Sequence, residues 1–273
     1  MSPSWRDRLL VGLSPERVAA VHLKRGLKPA VAADGVRDCA AADAAAPPWA
    51  AALASLEELL GAMAPLKGSA RVVLSNQFVR YGTVPWTEGV LGEEDRKRLA
   101  AGWFQSLYGE VAGSWRIVLD RPRYGCDTLA AAVDEALVAA VRDALARHGL
   151  ALASLWPHLA AAFDRWRGRL AADDGGFVVV EPGCVTSLFR RREGWAVVSN
   201  RRYRAEAPDG AAQLLRQCIE ADAVQGGEGA VALLAPGAAP AERSMGGRPL
   251  RLLEGAAGPW PEDPWRSMAW SVA

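Results

Sequence analysis

Leu9-Leu10-Val11-Gly12-Leu13-Ser14-Pro15-Glu16-Arg17-Val18-Ala19-Ala20-Val21-His22-Leu23 is the stretch on which the fold turns. Leu9 to Leu13 is a short apolar run, Ser14-Pro15-Glu16-Arg17 has turn chemistry, and Val18 to Leu23 is apolar again. Two such runs around a tight turn predict an antiparallel hairpin. A third strand near Pro29 to Ala33 would complete a meander.

Beyond the loop-like stretch from Asp38 to Pro48, Leu53, Leu56, Leu59, Leu60 and Met63 recur every three or four residues. That spacing gives a helix with one apolar face, ended by Pro65 and Gly68. Arg71 to Leu74 reads as a strand, and Phe78 to Trp86 as an extended segment closed by Pro85. Glu93 to Tyr108 places Leu99, Trp103 and Leu107 at four-residue steps and predicts a helix with an aromatic flank. Strands follow at Trp115–Leu119 and Thr128–Val133, then a helix from Val133 to His148-Gly149, a strand at Leu150–Trp156 and a helix over Pro157–Leu170.

Ala171-Ala172-Asp173-Asp174-Gly175-Gly176 marks a boundary. After it come strands at Phe177–Val180, Val185–Arg190 and Trp195–Ser199, a helix from Pro208 through Ile219, and short strands at Ala230–Leu234 and Pro249–Leu253. The tail beyond Gly255 is rich in proline and tryptophan, and is expected to pack irregularly. Each half thus begins with a three-strand meander and continues through helix and strand. Such a repeat in an α/β chain points to two similar lobes.

These residues resemble a family. The opening hairpin is similar to that of actin-like ATPase-fold proteins, and more narrowly to the PilM and GspL group, platform components of type IV pilus and type II secretion machines. Val72-Val73-Leu74-Ser75-Asn76-Gln77-Phe78-Val79-Arg80-Tyr81 with Val84-Pro85-Trp86 resembles that group's strand, polar turn and proline-closed hairpin. Val178-Val179-Val180-Glu181-Pro182-Gly183 resembles the turn that opens its second lobe. The resemblance implies an α/β, two-lobed actin-like (ribonuclease H-like, duplicated) fold with mixed five-stranded sheets flanked by helices. Residues 1–172 would form the first lobe, with an inserted α/β subdomain over about 78–133, and residues 173–273 a second, smaller lobe.

The departures from the family carry the functional expectation. A nucleotide site of this kind uses an acidic residue in the first turn and small residues that let backbone N–H groups reach phosphates. Gly12 stands at the acid's position, Ser14 at the glycine's and Ala19 at the lysine's, while Pro15 removes a donor. In the second turn Glu181 and Gly183 correspond to acid and glycine, with Pro182 between them; the adenosine turn corresponds to Ala235-Pro236-Gly237-Ala238. Gly12, Ser14, Glu181, Gly183 and Thr186 therefore read as a vestigial nucleotide cleft, with no catalytic residue, no metal, and ATP with Mg²⁺ not expected. The resemblance implies a non-catalytic cytoplasmic scaffold that binds the cytoplasmic segment of a bitopic inner-membrane protein and contacts a motor ATPase. It would reach the inner membrane only through partners. Phe78, Arg80, Tyr81, Trp86 and Trp103 are the candidate partner-binding residues. Two alternatives stay open. One is a divergent ATP-dependent kinase or phosphatase of the same superfamily, using Glu181 as base or metal-positioning acid with Ser14 and Thr186 on phosphate. The other is an unrelated two-domain α/β fold.

Composition excludes more than it names. The 273 residues carry 32 Lys and Arg against 31 Asp and Glu, a net charge of +1, without the basic excess of a nucleic-acid binder. Cys39, Cys126, Cys184 and Cys218 lie far apart, and with His22, His148 and His158 they make no ligand-spaced set. The longest apolar stretch, Leu150 to Phe163, is broken by Pro157-His158 and falls short of the roughly 20 residues a bilayer span needs. No GxSxG, HExxH, GxxxxGK[ST] or strand-following GxGxxG occurs. Eleven tryptophans leave both core packing and partner anchoring open, and Arg190-Arg191-Arg192 with Arg201, Arg202 and Arg204 form a candidate basic patch at one hairpin.

Overall fold

The computed structural model describes residues 7–24, 26, 30–41, 43–89, 92–170, 175–191, 194–204, 209–223, 229–253 and 259–273. In chain order the elements are β1 (Arg8–Leu13), β2 (Arg17–Lys24), β3 (Ala30–Asp38), α1 (Ala50–Ala62), β4 (Gly68–Leu74), β5 (Val79–Val84), α2 (Glu93–Tyr108), β6 (Trp115–Leu119), β7 (Thr128–Asp134) and α3 (Glu135–Arg147). They continue as β8 (Leu150–Pro157), α4 (His158–Trp166), β9 (Gly176–Glu181), β10 (Cys184–Arg191), β11 (Gly194–Arg202), α5 (Gly210–Ala223), β12 (Val231–Leu234), β13 (Ser244–Met245), β14 (Arg248–Leu252) and α6 (Pro264–Trp270).

The chain divides into two compact units: Met1–Phe78 with Ala136–Arg167 and Glu254–Ala273, and Val79–Glu135 with Gly168–Leu253. In the first, the strands run in the order β3-β2-β1-β4-β8. β1 is antiparallel to β2, setting Gly12 opposite Ala19, and parallel to β4, setting Gly12 opposite Val73; β4 is parallel to β8. Leu9, Leu10, Val11 and Leu13 are all buried, because helices cover both faces of this central strand and a continuous apolar run is what such a position demands. α1 packs on β2 and β3, and α6 on β1 and β2. Leu10, Val21, Leu23 and Ala269 form one buried cluster with Trp260, Trp270 and Val272 beside it.

In the second unit the main sheet runs β11-β10-β9-β12-β14-β13. β9 is antiparallel to β10 and parallel to β12, and β12 is parallel to β14. These are the orientations of β1 toward β2 and β4, and of β4 toward β8, so five strands repeat one for one. The sheet is six-stranded instead of the expected five, because the two-residue β13 pairs with β14 at the edge. Val178, Val180, Val185, Phe189, Leu215, Cys218, Ile219, Val231 and Leu233 fill the core beneath α5. A separate antiparallel sheet, β5-β7-β6, carries α2, with Val84, Ala100, Phe104, Ala112, Ala130 and Ala132 buried between them.

Two expectations need correction. Residues 259–273 contain α6 and belong to the first unit, although the sequence placed the tail in the second lobe as irregular chain. Asp263 accepts the backbone N–H groups of Trp265 and Arg266 at 3.0 Å and Pro264 sits at the first helical position, so the end is capped and helical. The segment 79–133, expected as an insertion of the first lobe, groups with 168–253: Asn200 Nδ2 donates to Val79 O at 3.3 Å and Trp195 Nε1 to Asp120 at 2.9 Å. Of the expected boundary at 171–176, residues 171–174 lie outside the described residues and Gly176 begins β9.

Candidate functional site

The turn between β1 and β2 is closed on itself. Ser14 is buried, its hydroxyl donating to Arg17 O at 2.7 Å and accepting from Arg17 N at 3.1 Å. Glu16 accepts from Gln77 Nε2 at 2.8 Å. Ser75, Asn76 and Gln77 follow β4 as consecutive buried polar residues, and Asn76 Oδ1 accepts from Leu159 N at 2.9 Å. The carboxyl ends of the parallel strands, where α/β sheets place ligands, here bear polar side chains engaged within the unit, Gln77 with Glu16 and Asn76 with the Leu159 backbone.

At Gly12 a Cβ would stand 2.9 Å from Trp265 O and from Met268 Cε, and 3.2 Å from Ala269 N. Glycine is needed here because α6 lies directly on the strand backbone. Arg266 pairs with Asp263 at 2.6 Å and Asp34 at 2.7 Å, and the Arg17 guanidinium lies 4.3 Å from the Trp265 ring centroid. The sequence reading missed α6 as a partner of this turn. Its local signal was Asp263-Pro264, a cap residue followed by a helix-starting proline.

Glu181, Gly183 and Thr186 lie in the second unit, at the turn between β9 and β10. Gly183 takes φ +76°, a left-handed conformation suited to glycine. Tyr203 holds the turn, its N–H donating to Gly183 O at 3.0 Å and its hydroxyl to Glu181 O at 2.9 Å. Glu181 is buried, and Thr186 is fully buried with Oγ1 3.5 Å from Asn200 Oδ1. The Cys184 thiol also donates to Asn200, and burial, with Glu181's negative charge second, pushes its pKa up so that it stays neutral. After β12, Ala238 N donates to Ala235 O at 3.2 Å, with Gly237 at φ +68°. Among the described residues, no group of three or more His, Cys, Asp and Glu is placed to hold a metal ion.

A buried acid lies on the far side of the β10–β11 hairpin. Asp222, on α5, accepts from Ser187 at 2.5 Å, Ser199 at 2.6 Å and Arg201 at 2.8 Å. Arg201 thus turns inward from the expected basic patch, and Arg190 lies 5.8 Å from the Trp195 ring. The Arg191 side chain and Arg192 lie outside the described residues.

The candidate partner-binding residues are divided between the two units, Phe78 in the first and Arg80, Tyr81, Trp86 and Trp103 in the second. Phe78 ends a short 3-10 turn in the first unit. Arg80 and Tyr81 are half-buried on β5; burial first, then the like charge of Arg202, lowers the Arg80 pKa. Trp103 packs inward, meeting the Phe104 ring at 5.1 Å and covering Gly82, where a Cβ would fall inside its indole. Trp86 lines a pocket of about 210 Å³ with Val84, Pro85, Leu99, Leu119 and Tyr124. Its N–H donates to Asp127 at 3.0 Å, and its ring meets that of Tyr124 edge-on at 5.3 Å. Among the described residues no helix is long and apolar enough to cross a membrane.

No protein-family model matches the chain, and no curated protein matches it by sequence. Solved structures do match in fold. The cytoplasmic domain of EpsL, an inner-membrane component of the Vibrio cholerae type II secretion system, is similar over 97% of this chain and 94% of its own, at 14% identity and TM-score 0.63. A structure of the PilM–PilN type IV pilus biogenesis complex is similar over 97% of both chains, at 18% identity and TM-score 0.65. A Bacteroides thetaiotaomicron protein of actin-like ATPase fold and unknown function covers 87% of this chain, at 7% identity and TM-score 0.54. The chain has the actin-like ATPase fold.

Proposed function

We propose that this protein is a non-catalytic platform of a type IV pilus or type II secretion-like envelope assembly. It would stand at the cytoplasmic face of the inner membrane and hold the cytoplasmic segment of a bitopic partner. The observation carrying this reading is the end-to-end similarity to the EpsL cytoplasmic domain and the PilM–PilN complex. The turn chemistry supports it. The first turn has no acid at Gly12 or Ser14, its serine hydroxyl is engaged within the turn, and among the described residues no group of three or more His, Cys, Asp and Glu is placed to hold Mg²⁺. Phe78, Arg80, Tyr81, Trp86 and Trp103 remain the residues assigned to partner binding, with a motor ATPase as a further partner.

A bacterial two-hybrid screen against bitopic inner-membrane proteins encoded nearby tests the reading: the expected result is one strong partner, and none overturns it. A thermal-shift titration with Mg-ATP tests the non-catalytic part. Nucleotide at a hundred times its Kd would stabilise the chain by about 2.7 kcal/mol. No shift is expected at millimolar ATP, and a saturable one would favour the kinase or phosphatase alternative.

A further inference from the structure

Five of the seven large exposed apolar side chains among the described residues, Leu107, Tyr108, Val111, Val118 and Tyr124, lie on the small sheet-and-helix body of β5–β7 and α2. The Trp86 pocket opens on this same body. Its walls are the segment leaving β5, α2 at Leu99, and the turn Pro122-Arg123-Tyr124 after β6. Pro85 and Pro122 stiffen two of those walls, and the Trp86–Asp127 hydrogen bond fixes the first, so the opening is preformed. At about 210 Å³ it lies below the roughly 300–1,000 Å³ of pockets that enclose small-molecule ligands, and suits a single side chain.

The charges on the wall choose the occupant. Arg96 and Arg123 line the pocket, with no carboxylate among the lining residues, and Arg121 is exposed beside them. Of the acids close to the wall in sequence, Asp120 accepts from Trp195 Nε1 and from Arg121 N, Asp127 accepts from Trp86 N, and Glu93, Glu94 and Asp95 pair with Lys97 and Arg98, while Glu88 is exposed next to Thr87. We infer that this pocket seats one large apolar side chain of an extended acidic segment supplied by a partner protein. Tyr124, 84% exposed and stacked edge-on against Trp86, forms the outer lip over the anchor, while the arginines meet the flanking carboxylates. The inference deepens the platform reading, on which it rests for where the segment comes from.

The test is a fluorescence-anisotropy titration of the full chain with a fluorescein-labelled peptide, Gly-Ser-Asp-Glu-Phe-Asp-Glu-Ser-Gly, against its charge-reversed counterpart, Gly-Ser-Lys-Arg-Phe-Lys-Arg-Ser-Gly. Saturable binding of the acidic peptide alone is expected, weakened at least about tenfold by Arg123→Glu and by Tyr124→Ala and reduced by added salt. Both residues are exposed, and matching melting curves will show that the variants fold. No binding of the acidic peptide, equal binding of both peptides, or affinity unchanged in the variants overturns the inference. The two-hybrid arm separates this failure from that of the platform reading. A partner captured equally well by wild type and both variants removes the pocket and leaves the platform standing; a wild type that captures no partner removes the platform, while the titration still decides the pocket.

Discussion

The two units repeat the same five strands, yet they secure their three-strand meanders by opposite means, the first at β1–β2 and the second at β10–β11. In the first unit a helix from the far end of the sequence lies on the strand: α6 touches the backbone at Gly12, and Arg17 covers Trp265. In the second unit the hairpin is pinned from beneath by its own neighbours, Ser187, Ser199 and Arg201 converging on Asp222 of α5. An identical strand order therefore does not fix how a hairpin is held. Each solution also consumes polar or open groups: the first takes the open backbone of a glycine, the second takes hydroxyls and a carboxylate into the interior.

Four changes would break or sharpen that contrast. Asp222→Ala should have the largest effect, a loss of about 3 kcal/mol in urea unfolding, since a buried hydroxyl, a half-buried one and a guanidinium lose their shared acceptor. An unchanged denaturation midpoint would show that the hairpin does not depend on the clip. Gly12→Ala should cost about 2 kcal/mol, because the added methyl meets the backbone of α6 and not merely a flexible side chain. Calorimetry that shows no fall in Tm would mean the helix is only loosely seated. Asp263→Ala, which removes the cap and one partner of Arg266, should cost about 1 kcal/mol, and amide exchange should quicken over Pro264–Trp270 before it does elsewhere.

The smallest effect is one of pH. Burial pushes the Cys218 thiol from its usual 9.0 up to about 11, so the unfolded chain releases that proton first. Its contribution to stability is complete below pH 9 and is lost as pH climbs toward 11. Stability measured across that range should decline less steeply in Cys218→Ala than in the wild type; parallel curves would refute the assignment.

Where residues act through local periodicity, the sequence was readable. Leu99, Trp103 and Leu107 define α2 over Glu93–Tyr108, and the apolar run Trp115–Leu119 is β6, both with the expected limits. The antiparallel hairpin was implicit in Leu9 to Leu23. What failed was long-range placement. The aromatic tail looked irregular because Trp260, Trp265 and Trp270 stand between prolines, and only the sheet beneath gives Trp270, Met268 and Ala269 something to bury against. The Asp222 cluster was invisible for a similar reason: residues 187, 199, 201 and 222 meet only once β10, β11 and α5 are assembled. At the first turn, sequence singled out Gly12 and Ser14 but not their surroundings, which are a helix against the glycine and a serine hydroxyl engaged within the turn.

The seating of α6 on β1 also governs how this polypeptide is made. Roughly 250 residues separate the two, and ribosomes add about 5–20 residues per second, so the earliest strand waits tens of seconds for its cover. Throughout that interval the greasy side of the nascent sheet, around Leu10 and Val21, is open to solvent. A holdase bound there, or misassembly with a neighbouring nascent chain, is the hazard that a C-terminal truncation would make permanent.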